Sequence, residues 1–386
     1  MMSGTSWAGG KAARVDHSTG EVIHSASPCF DVQVSTHAVL LQPDAELNAI
    51  ERSRFALVKI VEPHHQRAVR ISGSTPEDRR RNLRIIADHM VRARGEQTLI
   101  ENHWTRSEEL WSSELQENRR RALFVVNSYI DSAVVANALS GALRNNYGSA
   151  NWKVFCLQKD SDDQEEISSG IGDGVQPLAR SLIERFGDEP EYSILVAPIQ
   201  IVSRGYNILN SSKKAAISSI YFLHRPHPHP DDLSSVVGRL NRFALERFEG
   251  GVEPRQGETF GDRARRMRYA AAKSLRSGLG GPQNYRSLSA EHKAQFAWDL
   301  LAQLWQGVGR GIRGGCPVFV GFIDSAFAPE SFNDSRDTPA SSALVQAVHQ
   351  LKIALDSSNR DDAQVARMLY RPFYDALKQT EGLNYE

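Results

Sequence analysis

An α/β fold built on a doubly wound parallel sheet, with a helical insertion and a helical C-terminal tail, follows from three observations. Between residues 120 and 330, short apolar runs alternate with helix-length segments. Each run is apolar at consecutive positions rather than at every second one, the pattern of strands buried on both faces. The longest runs are strand-sized, too short to cross a membrane as helices. The chain has 386 residues, 40% of them hydrophobic, which is enough for a sizeable core in one large domain or two ordinary ones.

Taken in order, the first 45 residues are rich in Gly, Ser and Thr and read as loops around short extended pieces such as "FDVQV" at 30–34. "FALVKIVEP" and "RAVRISG" predict two strands between Arg52 and Ile71. Ser74-Thr75-Pro76-Glu77 combines a hydroxyl cap with a first-turn proline, so a helix is expected from there to about Arg94. Residues 95–120 are polar and read as helical. The strand-then-helix unit then begins: "RALFVVNSY" precedes "DSAVVANALSGAL", and "WKVFCL" precedes an acidic loop and a predicted helix, "PLARSLIERFG". "YSILVAPIQ", "AISSIYFL" and "PVFVGFID" supply further central strands. A helical insertion is expected over 231–305 and tail helices over 339–380. No internal repeat or low-complexity segment is present.

Lys plus Arg number 46 and Asp plus Glu 46, so any nucleic-acid surface must be a local patch. Cys29, Cys156 and Cys316 form no C-x-x-C pair, which argues against a zinc or iron–sulfur framework and fits a reducing compartment. Cys156 and Cys316 lie in apolar runs and read as buried, inert thiols. The first residues lack the apolar stretch of a signal peptide, so a cytoplasmic location is expected.

Ligands of open parallel sheets bind beyond the carboxyl ends of the strands. Three junctions stand out: Asn127-Ser128-Tyr129, the segment 199–207, and "LWQGVGRGIRGG" at 304–315, which precedes the last strand. All three are expected to meet along one edge. Upstream of the third, Phe296, Leu300 and Leu304 form an apolar helical stripe, with Ala297, Leu301 and Trp305 beside it. Continuing that phase brings Gln306, Arg310 and Arg313 near one another, in a Q-x-x-G-R-x-x-R pattern with Gly309. Arginine suits phosphate because its planar, permanently charged fork donates in parallel. The structural alternative is a pair of surface arginines held by salt bridges.

Together these junctions resemble the second RecA-like motor domain of superfamily 2 helicases, the DinG and XPD-like group. "VVNSYIDSAVVANAL" looks like that domain's first strand-loop-helix, "ILVAPIQIVSRGYNIL" like its fifth motif and "QGVGRGIR" like its sixth, the arginine-finger motif. "SGTSWA" with "SPCFDV" is similar to the third motif closing the first motor domain, although Gly4 and Thr5 depart from it. "APIQIVSRGYNILN", "AISSIYFLHRPHPHPDDL" and "FIDSAFAP" resemble the helicase-type proteins encoded beside prokaryotic PIWI-RE proteins in defence islands.

The resemblance implies a division at 118 and 330: residues 1–118 as the end of a first motor domain and its connector, 119–330 as the second RecA-like domain, 331–386 as a helical tail. It implies that Arg310 and Arg313 face the γ-phosphate of ATP, whose Mg2+ and phosphates are held mainly by another domain. Gln306 would orient them, and Gly309 and Gly311 would admit close backbone approach. Arg204, Gly205 and Asn207 would couple nucleotide state to the nucleic-acid strand, and Asn127, Ser128 and Tyr129 would touch its phosphates and bases, with DNA the expected form. Arg310→Ala is expected to abolish nucleic-acid-stimulated ATP hydrolysis in the assembled motor while leaving the fold intact.

Three further motifs remain. "HRPHPHPDD" places His224, His227 and His229 near Asp231 and Asp232, but the alternating prolines fan the imidazoles apart, so no metal site is assigned. "DRARRMRYAAAKSLR", 262–276, reads equally as a phosphate-following helix with a stacking tyrosine or as a solvated face. The acids of "KDSDDQEE" read as a solvated loop. No G-x-x-x-x-G-K-[ST] loop is present: in "GTSWAGGKAA" the lysine comes one place late and no Ser or Thr follows. Two readings result. One is the C-terminal motor half of an ATP-dependent helicase, working with an ATP-binding RecA-like domain in cis or trans, nucleic acid and a PIWI-RE protein. The other is a non-catalytic nucleic-acid-binding or partner-binding regulatory protein.

Overall fold

The computed structural model describes residues 13–15, 22–25, 44–63, 66–93, 95, 97–109, 111, 117–147, 152–160, 170–203, 206–226, 257–279 and 285–385. Strands β1 (Ala13–Val15) and β2 (Val22–Ser25) form an antiparallel ribbon. The other strands are β3 (Arg54–Leu57), β4 (Arg121–Val126), β5 (Lys153–Gln158), β6 (Val175–Ala179), β7 (Ser193–Pro198), β8 (Ser219–Phe222) and β9 (Phe319–Phe322). These seven form one all-parallel sheet in the order β3-β9-β8-β4-β7-β5-β6. The helices are α1 (Asp44–Glu51), α2 (Pro76–Val91), α3 (Leu99–Glu108), α4 (Tyr129–Tyr147), the single turn α5 (Ile199–Val202), α6 (Phe260–Leu279), α7 (Ala290–Val308), α8 (Ala343–Leu355) and α9 (Arg360–Lys378).

Continuous apolarity in the strands has a direct structural cause. Leu123 and Val125 of β4 join Leu195, Ile220, Val320 and Phe322 in one core beneath α1, α7, α8 and α9. Ala122, Phe124 and Val126 join Ile194, Val196, Tyr221 and Phe319 in a second core beneath α2, α3 and α4. Successive strand residues face opposite ways, so helices on both faces require both parities to be apolar. This is the doubly wound sheet the sequence predicts. Strand β3 comes from the stretch before residue 118, and α8 and α9 come from the tail, yet both belong to this layered unit. Among the described residues, no helix is long and apolar enough to cross a membrane.

Several elements differ from expectation. Helix α2 begins at Pro76 with Thr75 accepting from the Asp78 amide at 3.2 Å, but it ends at Val91. "RAVRISG" makes only an isolated antiparallel bridge, Val61 to Ala68, beyond β3. "PLARSLIERFG" is not an α-helix: Val175–Ala179 is strand β6, followed by a 3-10 stretch, Arg180–Asp188. Pro177 is tolerated there because β6 lies at the sheet edge, where one side of the strand needs no ladder donor. "FDVQV" and "SGTSWA" lie outside the described residues.

Arg119, Arg120 and Arg121, consecutive in sequence, do three different things. Arg119 is fully buried: its Nε donates to the Ala215 carbonyl at 2.7 Å, and its Nη2 lies within 2.9–3.0 Å of the carbonyls of Ile217, Gly311 and Pro317. Burial lowers its pKa to about 10, so it stays protonated at neutral pH. Arg120 forks onto Glu108 at 2.7 and 3.0 Å, tying β4 to α3. Arg121 donates to the carbonyls of Glu189 and Asn118. At the opposite edge, Asp324 is fully buried after β9 and accepts from the amides of Ile71, Ser72, Arg225 and Ala326 at 2.9–3.1 Å. Burial alone would raise its pKa, but hydrogen bonds from Ser72, Ile71, Ala326 and Arg225 outweigh it and hold the carboxyl below its usual range.

Two stability predictions follow from these contacts. Arg119→Lys keeps the charge but lacks the planar fork that reaches several carbonyls, and is expected to cost about 2–3 kcal/mol in urea unfolding. A loss below about 0.5 kcal/mol would contradict the role given to Arg119. His103 stacks on Phe319 at 4.2 Å between ring centroids and shares a 2.8 Å hydrogen bond with the Tyr221 hydroxyl. Burial, with the nearby Arg106 and Arg54, lowers its pKa from 6.5 to about 3. Unfolded chains therefore take up a proton that the folded protein refuses, and stability falls as pH drops from about 6.5 towards 3. His103→Gln should flatten the unfolding free energy between pH 6.5 and 5 by about 1.5 kcal/mol; an unchanged slope would assign the acid sensitivity elsewhere.

Candidate functional site

The arginine motif is positioned by α7, whose first turn is capped by Ser289 accepting from the His292 amide at 3.2 Å. Its apolar stripe, including Ala297, Leu300, Leu304 and Val308, packs on the sheet. Near its exit the helix lies so close to the strands that a Cβ on Gly307 would stand 2.9 Å from the Phe222 ring. A Cβ on Gly311 would stand 2.4 Å from Val318. Those two glycines carry the close approach. At Gly309 the nearest neighbours of such a Cβ are the carbonyls of its own turn, Trp305 and Gln306, at 3.2 and 3.3 Å.

Gln306 is half-buried on the last turn, and the chain then turns through Gly309–Ile312. Arg310 is buried, with Nε donating to the Val202 carbonyl at 2.9 Å and Nη1 to the Tyr206 carbonyl at 2.6 Å. Arg313 is half-buried at the start of a 3-10 turn, Arg313–Gly315, and its carbonyl accepts from the Ala215 amide at 3.0 Å. Gly314 follows with φ 70°, a left-handed conformation that would strain other residues, and packs against Lys214.

Convergence on one edge is not what forms. Helix α7 descends antiparallel to the strands, so Gly311–Gly315 lands beside Arg119, Ala215 and Pro317, where strands begin. Asn127, Ser128 and Tyr129 lie where β4 ends, roughly 20 Å away along six residues of strand. The expectation failed because the third junction precedes its strand, whereas the other two follow theirs.

The segment after β7 spans the gap. Val126 and Pro198 are register partners, so Ile199 starts beside Asn127. The chain continues through α5 to Tyr206, against Arg310, and on to Ile208, whose carbonyl accepts from the Ala216 amide near the start of β8 at 3.0 Å. Asn207 is exposed, and its amide is held by the Glu184 carboxylate at 2.8 Å. Arg204 and Gly205 lie outside the described residues.

At the carboxyl edge, the Ser128 hydroxyl accepts from the Asp131 amide at 3.1 Å and caps α4. Asn127 and Tyr129 are half-buried, with the Lys159 ammonium 5.9 Å from the Tyr129 ring centre and Ile130 68% exposed beside them. Beneath them lies an ionic group that sequence reasoning missed. Asp131, buried, is 3.4 Å from Arg79 Nε and 3.6 Å from His224 Nε2. Asp324 and Arg119 were missed as well. The signals present were an acid directly after an apolar run, in "FID", and a basic triplet directly before one, in "RRRALFVV".

Among the described residues, no group of three or more His, Cys, Asp or Glu is placed to hold a metal ion. His227, His229, Asp231 and Asp232 lie outside them, as do residues 161–166 of the acidic loop. Asp160 accepts from the Ser181 amide at 2.7 Å and pairs with Arg180.

Arg310→Ala would leave the carbonyls of Val202 and Tyr206 without these donors and open a void. It is expected to destabilise the fold by about 2–4 kcal/mol in urea unfolding, with Arg310→Lys recovering part of the loss. An unfolding curve superimposable on the parent's would show instead that the expectation of an intact fold was right. No protein-family model, curated protein or solved structure matches this chain.

Proposed function

We propose that this chain is the C-terminal motor half of an ATP-dependent nucleic-acid helicase. The observation that carries the reading is the strap after β7, described at 199–203 and 206–208, whose Val202 and Tyr206 carbonyls both accept from Arg310. It starts beside Asn127 at the carboxyl edge and is gripped by Arg310 on its way to the amino edge. A displacement of the arginine turn would therefore be transmitted to the edge carrying Asn127 and Tyr129. Arg313, the more exposed of the two arginines, is the candidate for contact with a γ-phosphate. Arg310 is a positioning residue that fixes the strap.

The sequence contains no G-x-x-x-x-G-K-[ST] loop, and among the described residues no group of three or more His, Cys, Asp or Glu is placed to hold a metal ion. Nucleotide and metal are accordingly assigned to another RecA-like domain, and no hydrolytic step is derived through them. The reading extends to DNA as the strand, a cytoplasmic location and a defence role beside a PIWI-RE protein. The non-catalytic alternative is favoured by one observation, the use of Arg310 donors within the chain itself.

The experiment that separates them combines this chain with any Walker-type polypeptide found encoded in frame with it or next to it, and measures phosphate release with single-stranded DNA. Stimulated hydrolysis is expected only in the combination, falling about 10³-fold in Arg313→Ala with an unchanged unfolding midpoint. Absence of hydrolysis in every combination, or full turnover in Arg313→Ala, would leave the binding reading in its place.

A further inference from the structure

Helix α6 carries Arg263, Arg265, Arg266 and Arg268 within six residues, and its sequence continues with Lys273 and Arg276. The described arginines divide into two sets. Arg266 is held by Glu258 through a fork of 2.7 and 2.9 Å, with side-chain exposures of 28% and 8%, and it anchors the helix to the preceding segment. Arg263 is also half-buried. Arg265 and Arg268 are exposed, and Tyr269 is 72% exposed. Arg265 meets Asp262 at 2.9 Å, but that pair is exposed and therefore weak. Arg268 forms no ion pair among the described residues.

Positions 265, 268 and 269 are three and four residues apart and share one side of the helix. Two cations and a phenol ring thus face solvent together. The second exposed aromatic, Phe260, precedes Tyr269 by nine residues, roughly two and a half turns, and so lies on the opposite side. A helix that lies in a lipid surface gathers its large apolar residues on one side. The division of Phe260 from Tyr269 argues against that partner. An acidic peptide would satisfy the arginines and leave the ring unused. A single-stranded nucleic acid uses both, with its phosphates on the guanidinium groups and an unpaired base on the ring.

We propose that the Arg265–Arg268–Tyr269 face of α6 is a binding site for single-stranded nucleic acid, separate from the carboxyl edge of the sheet. It deepens the motor reading by adding a second contact on the strand, and its test requires no nucleotide.

The probes are a labelled 20-nucleotide oligothymidylate, the corresponding duplex, and vesicles containing phosphatidylserine, each titrated with the whole chain at several salt concentrations. Oligothymidylate is expected to bind in preference to duplex. Arg265→Ala with Arg268→Ala should lower the slope of log affinity against log salt by about 1.4, two phosphates' worth on a single strand. Tyr269→Ala should weaken binding about ten-fold with the slope unchanged. Unaltered affinity and slope in both variants, with unfolding midpoints equal to the parent's, would overturn the proposal. So would duplex binding that ignores Tyr269, or vesicle binding lost in Tyr269→Ala. A normal salt response with no ATP hydrolysis in any combination would remove the motor reading and leave this site standing; the reverse pattern would do the opposite.

Discussion

The guanidinium of Arg119 is the point on which the amino edge of the sheet closes. The segments entering β8 and β9 turn several carbonyls inward, and an unpaired buried carbonyl is costly. Arg119 reaches the carbonyls of Ala215 and Ile217 ahead of β8, Pro317 ahead of β9 and Gly311 after α7. A planar fork with five donors can serve divergent acceptors in a way an ammonium cannot. The arginine turn at 310–313 is consequently part of the sheet's foundation as well as a candidate site.

The carboxyl edge has the complementary solution. There the buried Asp324 accepts from four backbone amides, joining the ends of β8 and β9 to the 71–72 loop. A cation gathers carbonyls at one end and an anion gathers amides at the other. Between them lies the stretch after β7, which starts beside Asn127 at Ile199 and meets Arg310 at Val202 and Tyr206. Whatever binds at either edge acts on a frame whose two ends are fixed by fully buried charges.

The glycines of the arginine motif show how one pattern can serve two needs. Gly307 in α7 and Gly311 in the turn after it lie where an added Cβ would press on Phe222 and Val318. Close packing and close approach to a phosphate both select glycine, so the residues alone do not distinguish the two uses. Arginines behave in the same way. Arg119, Arg266 and Arg310 are spent on the chain's own groups, whereas Arg265 and Arg268 face solvent, although all are alike in composition.

By itself the sequence determined the fold class, the positions of β4, β5, β7, β8 and β9, and the start of α2. Each rests on local chemistry: continuous apolar runs for strands between two helical layers, and a threonine cap before proline for the helix. β6 was not legible, because an edge strand lacks that continuous apolar run and "VQPLA" carries a proline. Spacing drew Gln306, Gly309, Arg310 and Arg313 together as a candidate pattern; the edge on which that pattern falls was not legible. Only the tertiary structure decided that the motif lies at the strand beginnings, that Arg310 holds the strap, that Arg119 and Asp324 close the two edges, and that Asp131 sits between Arg79 and His224. These are contacts between residues tens to hundreds of positions apart, set by the direction in which α7 crosses the sheet and by which loops that crossing brings together. Such contacts leave no periodicity for a local reading to detect.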